Sequence, residues 1–191
     1  MAGNRRGAIQ LIVEGPGDEG AVPVLLRRYL ESIEDFRPNM LGAPIAAHGI
    51  SNLTKDNGIE GYVRIAASRP GVECIFVVVD ADKECIKERA ELLLSRAGAR
   101  VPVIIAIADK NFEDWIYASA EDTLGPEVTY VAGTNGLSKI KRHRSYTKSV
   151  DQAKLAARIN LARASQRSKS FRRLIERFES RREALKFEQT N

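Results

Sequence analysis

Residues 76–83 read FVVVDADK, in which four apolar, mostly β-branched residues run directly into Asp80 and Asp82, separated by one alanine. Near the start of the chain LIVEGPGDEG has the same shape, an apolar run closing on Glu14. Runs that are apolar at every residue, rather than at alternate ones, are those of parallel strands covered on both faces. In open α/β sheets, ligands gather beyond the carboxyl ends of such strands. The two runs therefore predict a sheet covered on both faces, with three carboxylates at strand ends.

The rest of the chain can be read around them. Apolar runs predict strands over residues 8–13, 74–79 and 101–108, and a weaker one over 44–48, where alanine is a poor strand former. Between them, apolar residues recur at helical spacing from residue 21 to the Arg37-Pro38 break, over 59–68, and over 83–97. A fourth helix is expected after Asn111, whose side chain suits an N-cap. This β-α-β-α-β-α-β-α order predicts an α/β fold with a mainly parallel sheet, four-stranded or slightly larger, and right-handed crossovers. A short strand is expected at 128–132, then basic helices at 150–164 and 168–182. The second carries Phe171, Leu174, Ile175 and Phe178 on one face, so it packs against something.

The net charge of +5 is unevenly spread. Residues 1–138 hold 14 Lys/Arg against 20 Asp/Glu, whereas 139–191 hold 16 against 5. The expected organisation is an α/β domain over 1–138 with a basic helical extension, 139–191, packed on it. A basic segment on an acidic body points to a polyanionic partner such as nucleic acid. The plainer alternative is that these cations solvate helix faces. Candidate phosphate contacts are Lys139, Lys141, Arg142, Arg144 and Lys148 in the run KIKRHRSYTK, continued by Arg172 and Arg173. No apolar run approaches the roughly 20 residues of a membrane helix. The first apolar run is too short for a secretory leader, so cytoplasmic residence and no membrane partner are expected. Cys74 and Cys85 suggest neither a disulfide framework nor a zinc site.

Carboxylates at strand ends suit hard cations. Mg2+ and Mn2+ take oxygen ligands, and Mg2+ is commonly held by one or two carboxylates together with substrate phosphates. Asp80 and Asp82 can flank one ion, Glu14 can complete the cluster, and Asp18 or Glu19, one turn on, can assist. Lys110, after the 101–108 strand, or Lys83 can offset charge on a phosphoryl group. Helix capping by Asp82 is the competing reading, since Asp at a βα junction often caps the next helix. The glycine-rich loop is no P-loop, because no Gly-Lys-Ser/Thr follows.

A strand ending Glu-Gly with an acid just beyond (VEGPGDE), then, about 65 residues later, one ending Asp-x-Asp (VVVDAD), resembles the Toprim domain over roughly residues 8–115. The resemblance implies that Glu14, Asp80 and Asp82 bind Mg2+ or Mn2+ for phosphodiester chemistry. Asp18 matches the second acid of the overcoming-lysogenization-defect (OLD) nucleases. The further stretches FEDWI, YTKSVDQAKLA and SFRRL resemble small bacterial stand-alone Toprim-like proteins found beside ATPases in phage-defence clusters. That likeness adds Glu113 as a metal ligand or orienting acid. The Toprim likeness implies a metal-dependent nuclease acting on DNA or RNA, with Glu14, Asp80 and Asp82 as its catalytic acids, and Lys110, by its place after a strand end, completes the expected catalytic set. The alternative it implies is a non-catalytic nucleic-acid-binding or regulatory subunit of a partner ATPase. The chain has no room for a topoisomerase's tyrosine-bearing cleavage domain and carries no primase zinc domain. A phosphoacceptor receiver domain also uses acids at strand ends, but it lacks the Glu14-Gly15 motif and the basic segment.

Overall fold

The computed structural model describes residues 7–188. In chain order these form β1 (Ile9–Val13), α1 (Pro16–Ser32), β2 (Ile45–Ala46), α2 (Ile50–Thr54), α3 (Gly58–Ala67), β3 (Cys74–Asp80), α4 (Ile86–Arg96), β4 (Val103–Ala108), α5 (Phe112–Tyr117), α6 (Ala120–Thr123), α7 (Gly136–His143), α8 (Lys148–Ala156), α9 (Leu161–Arg167) and α10 (Lys169–Glu188). The four strands make one all-parallel sheet in the order β2-β1-β3-β4. Among the described residues, no helix is long and apolar enough to cross a membrane.

Strand parity explains why β1 and β3 are apolar on both faces, with Gln10 and the terminal Asp80 as the exceptions. Leu11, Val13, Phe76, Val78 and Ala106 enter one core with α1, α5, α8 and α10, while Ile12, Ile75, Val77, Val79 and Ile105 enter a second core with α3 and α4. Register then aligns the strand ends. Val13 pairs with Val78 and Asp80 with Ala108, so Glu14 leaves its strand beside Asp80.

Aromatic edges hold α10 onto the first face. Phe178 meets Phe76 at 5.7 Å and Tyr29 at 5.9 Å, while Trp115 meets Phe171 at 5.9 Å and donates its indole N–H to Ser170 Oγ at 3.0 Å. Arg182 of α10, only 4% exposed, reaches Asp35 Oδ2 at 3.2 Å just beyond the end of α1. Hydrogen bonds from Arg37, aided by Arg182, hold the Asp35 carboxyl down at about 2. A lowered carboxyl stabilises the fold above its unfolded value and loses that contribution as pH falls through the folded one. Asp35→Asn should therefore cost about 1–2 kcal/mol at pH 7, after discounting for solvent. In urea melts the gap to wild type should close between pH 4 and pH 2; a gap that does not depend on pH would contradict this account.

Four expected elements differ from the sequence reading. The strand at 44–48 is only two residues long, as its alanines suggested. Residues 128–132 form no strand, because the Tyr117 hydroxyl donates to Thr129 O and accepts from Val131 N–H, both at 3.2 Å. The helix at 150–164 breaks into α8 and α9, since the Asn160 side chain caps the new helix at Arg163 N and its own N–H is taken by Ser119 Oγ. Helix α4 begins only at Ile86, after a turn in which Asp82 adopts φ +53°, so Asp82 does not cap it.

Candidate functional site

The carboxyl ends of β1 and β3 bring Glu14 and Asp80 together directly: Glu14 Oε2 accepts the Asp80 backbone N–H at 3.0 Å. The first turn of α1 adds Asp18, 3% exposed, and α5 adds Glu113, 1% exposed. Four carboxylates thus converge where the sheet ends, three of them almost wholly withdrawn from water.

A lysine lies among them. Lys148, the first residue of α8, places Nζ 3.5 Å from Asp80 Oδ2 and 3.6 Å from Asp18 Oδ2. One turn on, Gln152 is fully buried and donates to Asp18 Oδ1 at 2.9 Å. The other Asp18 oxygen accepts the Gly15 N–H at 3.1 Å, so this acid is held on three sides. Close packing of α8 on α1 depends on Gly17, where an added Cβ would lie 2.2 Å from Gln152 Oε1 and 2.6 Å from Lys148 Cγ. Gly17 is helical, so it serves close approach rather than an unusual turn.

Tyr146, two residues before Lys148, donates its hydroxyl to Glu113 Oε1 at 2.7 Å. Helix α7 is fastened to α5 through the Gly136 N–H, which donates to Asp114 Oδ1 at 2.6 Å. Gly136, just before the basic run, and Tyr146, within it, thus tie this stretch to two neighbouring acids of α5. Tyr146→Phe should cost about 1.5–3 kcal/mol, the usual worth of a hydrogen bond to a charged group. Thermal melts measure it, and an unchanged midpoint would show that this contact is not held in solution.

Charge is strongly perturbed in such a site. Burial raises the Asp80 carboxyl well above its ordinary value, with Asp18, Glu14 and Glu113 adding to the rise and Lys148 opposing it. Burial also raises Glu14, against the Asp80 N–H. Burial pulls the Lys148 ammonium down, but Asp80, Asp18, Glu113 and Glu14 together outweigh it and hold the proton on. Burial, then Glu113, pushes the Tyr146 phenol far up, so it remains a donor.

The other expected residues lie around this cluster. Asp82 is exposed and lines an adjoining open basin of about 990 Å³ with Lys83, Lys110 and Asn111. Asn111 does precede α5, but its side chain makes no cap bond and its Oδ1, although buried, has no partner. Lys141, Arg142 and Arg144 are exposed and Lys139 is half-buried, with Arg144 facing Asp151 at 3.9 Å. Arg172 pairs with Glu176 at 3.7 Å, and Arg173 is exposed along β4 rather than beside the carboxylates. Lys148, expected among the outward phosphate contacts, is turned inward. Tyr146 and Gln152 were not singled out as site residues. The spacing held a signal for one of them, since Lys148 and Gln152 are four residues apart and so share a helix face.

The donor chemistry, oxygen throughout and with excess negative charge, suits a hard divalent cation. Among the described residues, however, no three acidic, His or Cys side chains converge closely enough to form a ligand shell. The Lys148 ammonium supplies the positive charge at Asp80 and Asp18.

No protein-family model matches this chain, and no curated protein does. Two solved structures are similar to it. The C-terminal region of the Xanthomonas campestris pv. campestris OLD protein matches over 97% of this chain and 98% of its own, at 13% identity and a TM-score of 0.45. The C-terminal region of the Burkholderia pseudomallei OLD protein matches over 91% and 98%, at 12% identity and a TM-score of 0.44. Both neighbours are OLD C-terminal regions. At these scores the likeness is one of outline.

Proposed function

We propose that this chain is a Toprim-type hydrolase that cleaves phosphodiester bonds of DNA or RNA with the aid of Mg2+ or Mn2+. One observation carries the reading: Glu14, Asp18, Asp80 and Glu113 converge at the carboxyl edge of the sheet around the Lys148 ammonium, beside an exposed basic run. So much buried negative charge is costly to the fold, and a site that gathers and holds cations explains why it is there.

Glu14 and Asp80 would hold the ion jointly with substrate phosphates, since no three acids among the described residues form a ready-made ligand shell, and Asp82, Asp18 and Glu113 would lie around it. When bound, the ion would polarise a phosphoryl oxygen and make a water molecule more acidic. The chain's own residues do the rest. The Asp80 N–H fixes the Glu14 carboxylate, and Tyr146 fixes Glu113. Lys148, whose ammonium stands beside Asp80 and Asp18, would neutralise charge on the phosphoryl group. Lys110 and Lys83, across the basin, can offset the leaving oxygen. Lys141, Arg142 and Arg144 track the flanking phosphates, so that binding weakens as salt rises. A partner ATPase and a role in phage defence complete the setting we propose.

The test is cleavage of labelled single- and double-stranded DNA and RNA with Mn2+, with Mg2+ and with EDTA. Metal-dependent cleavage by the purified chain supports the reading, whereas inactivity on all four substrates with both ions counts against it. The contact of Lys148 with Asp80 and Asp18 favours one second reading, a binding or regulatory subunit. There the lysine acts as a permanent counter-ion and the chain grips nucleic acid without cutting it.

A further inference from the structure

The free edge of the sheet carries a second feature, independent of the carboxylates. Strand β4 ends the order β2-β1-β3-β4, and no described strand pairs with its outer side. The directions of its backbone groups can be read from their partners. Pro102 O and Ala108 O accept from β3 and the residue after it, so the groups of even-numbered residues face inward. Ile105 O instead accepts from the Arg177 guanidinium on α10. The N–H and C=O groups of Val103, Ile105 and Ile107 therefore point outward at two-residue intervals.

Two hollows of about 570 and 340 Å³ lie along this edge, between α4 and α10, and Arg177 borders both. Ala90 also borders both, and Leu94, 55% exposed, gives the first an apolar wall. The charges on the walls are not balanced. Glu91 is engaged by Lys87 at 3.8 Å and Glu176 by Arg172 at 3.7 Å. Arg173 and Arg177, one turn apart on α10, have no carboxylate partner among the described residues. Arg177 acts as a guard on the edge, as charged side chains do on unpaired strands.

We propose that this edge is a docking groove for an extended peptide segment with alternating acidic and apolar residues, which adds a fifth strand beside β4. The carboxylates would draw Arg177 off Ile105 O and pair with Arg173, and the apolar side chains would enter the two hollows. Nucleic acid fits the edge less well. A phosphodiester backbone offers only acceptors, so the outward carbonyls of Val103 and Ile107 would stay unpaired, whereas a strand supplies both donors and acceptors.

The test uses the full chain labelled with 15N. It is titrated separately with a synthetic Asp-Val-Asp-Ile-Asp-Val-Asp peptide, its Lys-for-Asp counterpart, and oligo-dT. The acidic peptide should shift the amide signals of Val103, Ile105 and Ile107, and the basic peptide should not. Arg177→Glu should weaken the acidic peptide at least tenfold, and Arg173→Glu, farther along the wall, should weaken it less. Equal response to both peptides, no response to either, or oligo-dT shifting these same amides would overturn the proposal. So would shifts of these amides with protein concentration alone, which would make the occupant a second copy of this chain.

Discussion

Asp80→Asn should lower metal-dependent cleavage by about 10²–10³-fold, the range seen when one preorganised charge-handling group is removed from an active site. It should do so without unfolding the protein. Burial, together with Asp18, Glu14 and Glu113, holds the Asp80 carboxyl up in the folded state. A raised carboxyl binds its proton more tightly when folded than unfolded, so its ionisation erodes stability as pH climbs above the ordinary value of 3.8. The amide has nothing to ionise. The variant's thermal midpoint at pH 7 should equal or exceed that of wild type, and its decline from pH 4 upward should be shallower. Activity lost together with a fall in midpoint would make Asp80 a structural residue; full activity would remove it from the site.

The second prediction concerns Lys148 and asks whether it takes part in the proposed cleavage or only balances charge. If this lysine takes up phosphoryl charge, Lys148→Met should reduce kcat by about 10²-fold with little change in KM. Its removal also deletes the Lys148 charge that opposes the rise at Asp80. The acidic limb of the pH–rate profile should therefore move to higher pH, and Lys148→Arg should restore part of both. If the lysine is only a counter-ion, Lys148→Met should leave cleavage intact. It should then appear in stability alone, to an extent tempered by solvent, because its side chain is 41% exposed. Unchanged pH–rate profiles in both variants would sink the catalytic assignment.

Much of this architecture was legible in the chain. The runs ending on Glu14 and Asp80 could only be strands buried on both faces, and their alternation with amphipathic helices implied the parallel order. The acids at strand ends followed, because parallel strands all finish at the same edge of the sheet. The face of α10 carrying Phe171, Leu174 and Phe178 was equally plain, and it packs as expected. Short elements were less legible. Residues 128–132 have strand-like composition, yet one distant hydroxyl, that of Tyr117, takes their backbone groups.

The sequence by itself determined the strands, the edge where they end, and the carboxylates gathered there, since those depend on period, composition and the parallel order. Tertiary structure alone decided which cation meets them. Five Lys and Arg side chains crowd residues 139–148, and nothing in their identity sets Lys148 apart. It faces inward because α8 packs on α1 at Gly17, because Tyr146 is drawn to Glu113, and because its position on the first turn of α8 aims it at Asp80. Side-chain direction across the 129 residues of intervening chain, from Asp18 to Lys148, is fixed by packing, and local sequence does not record it.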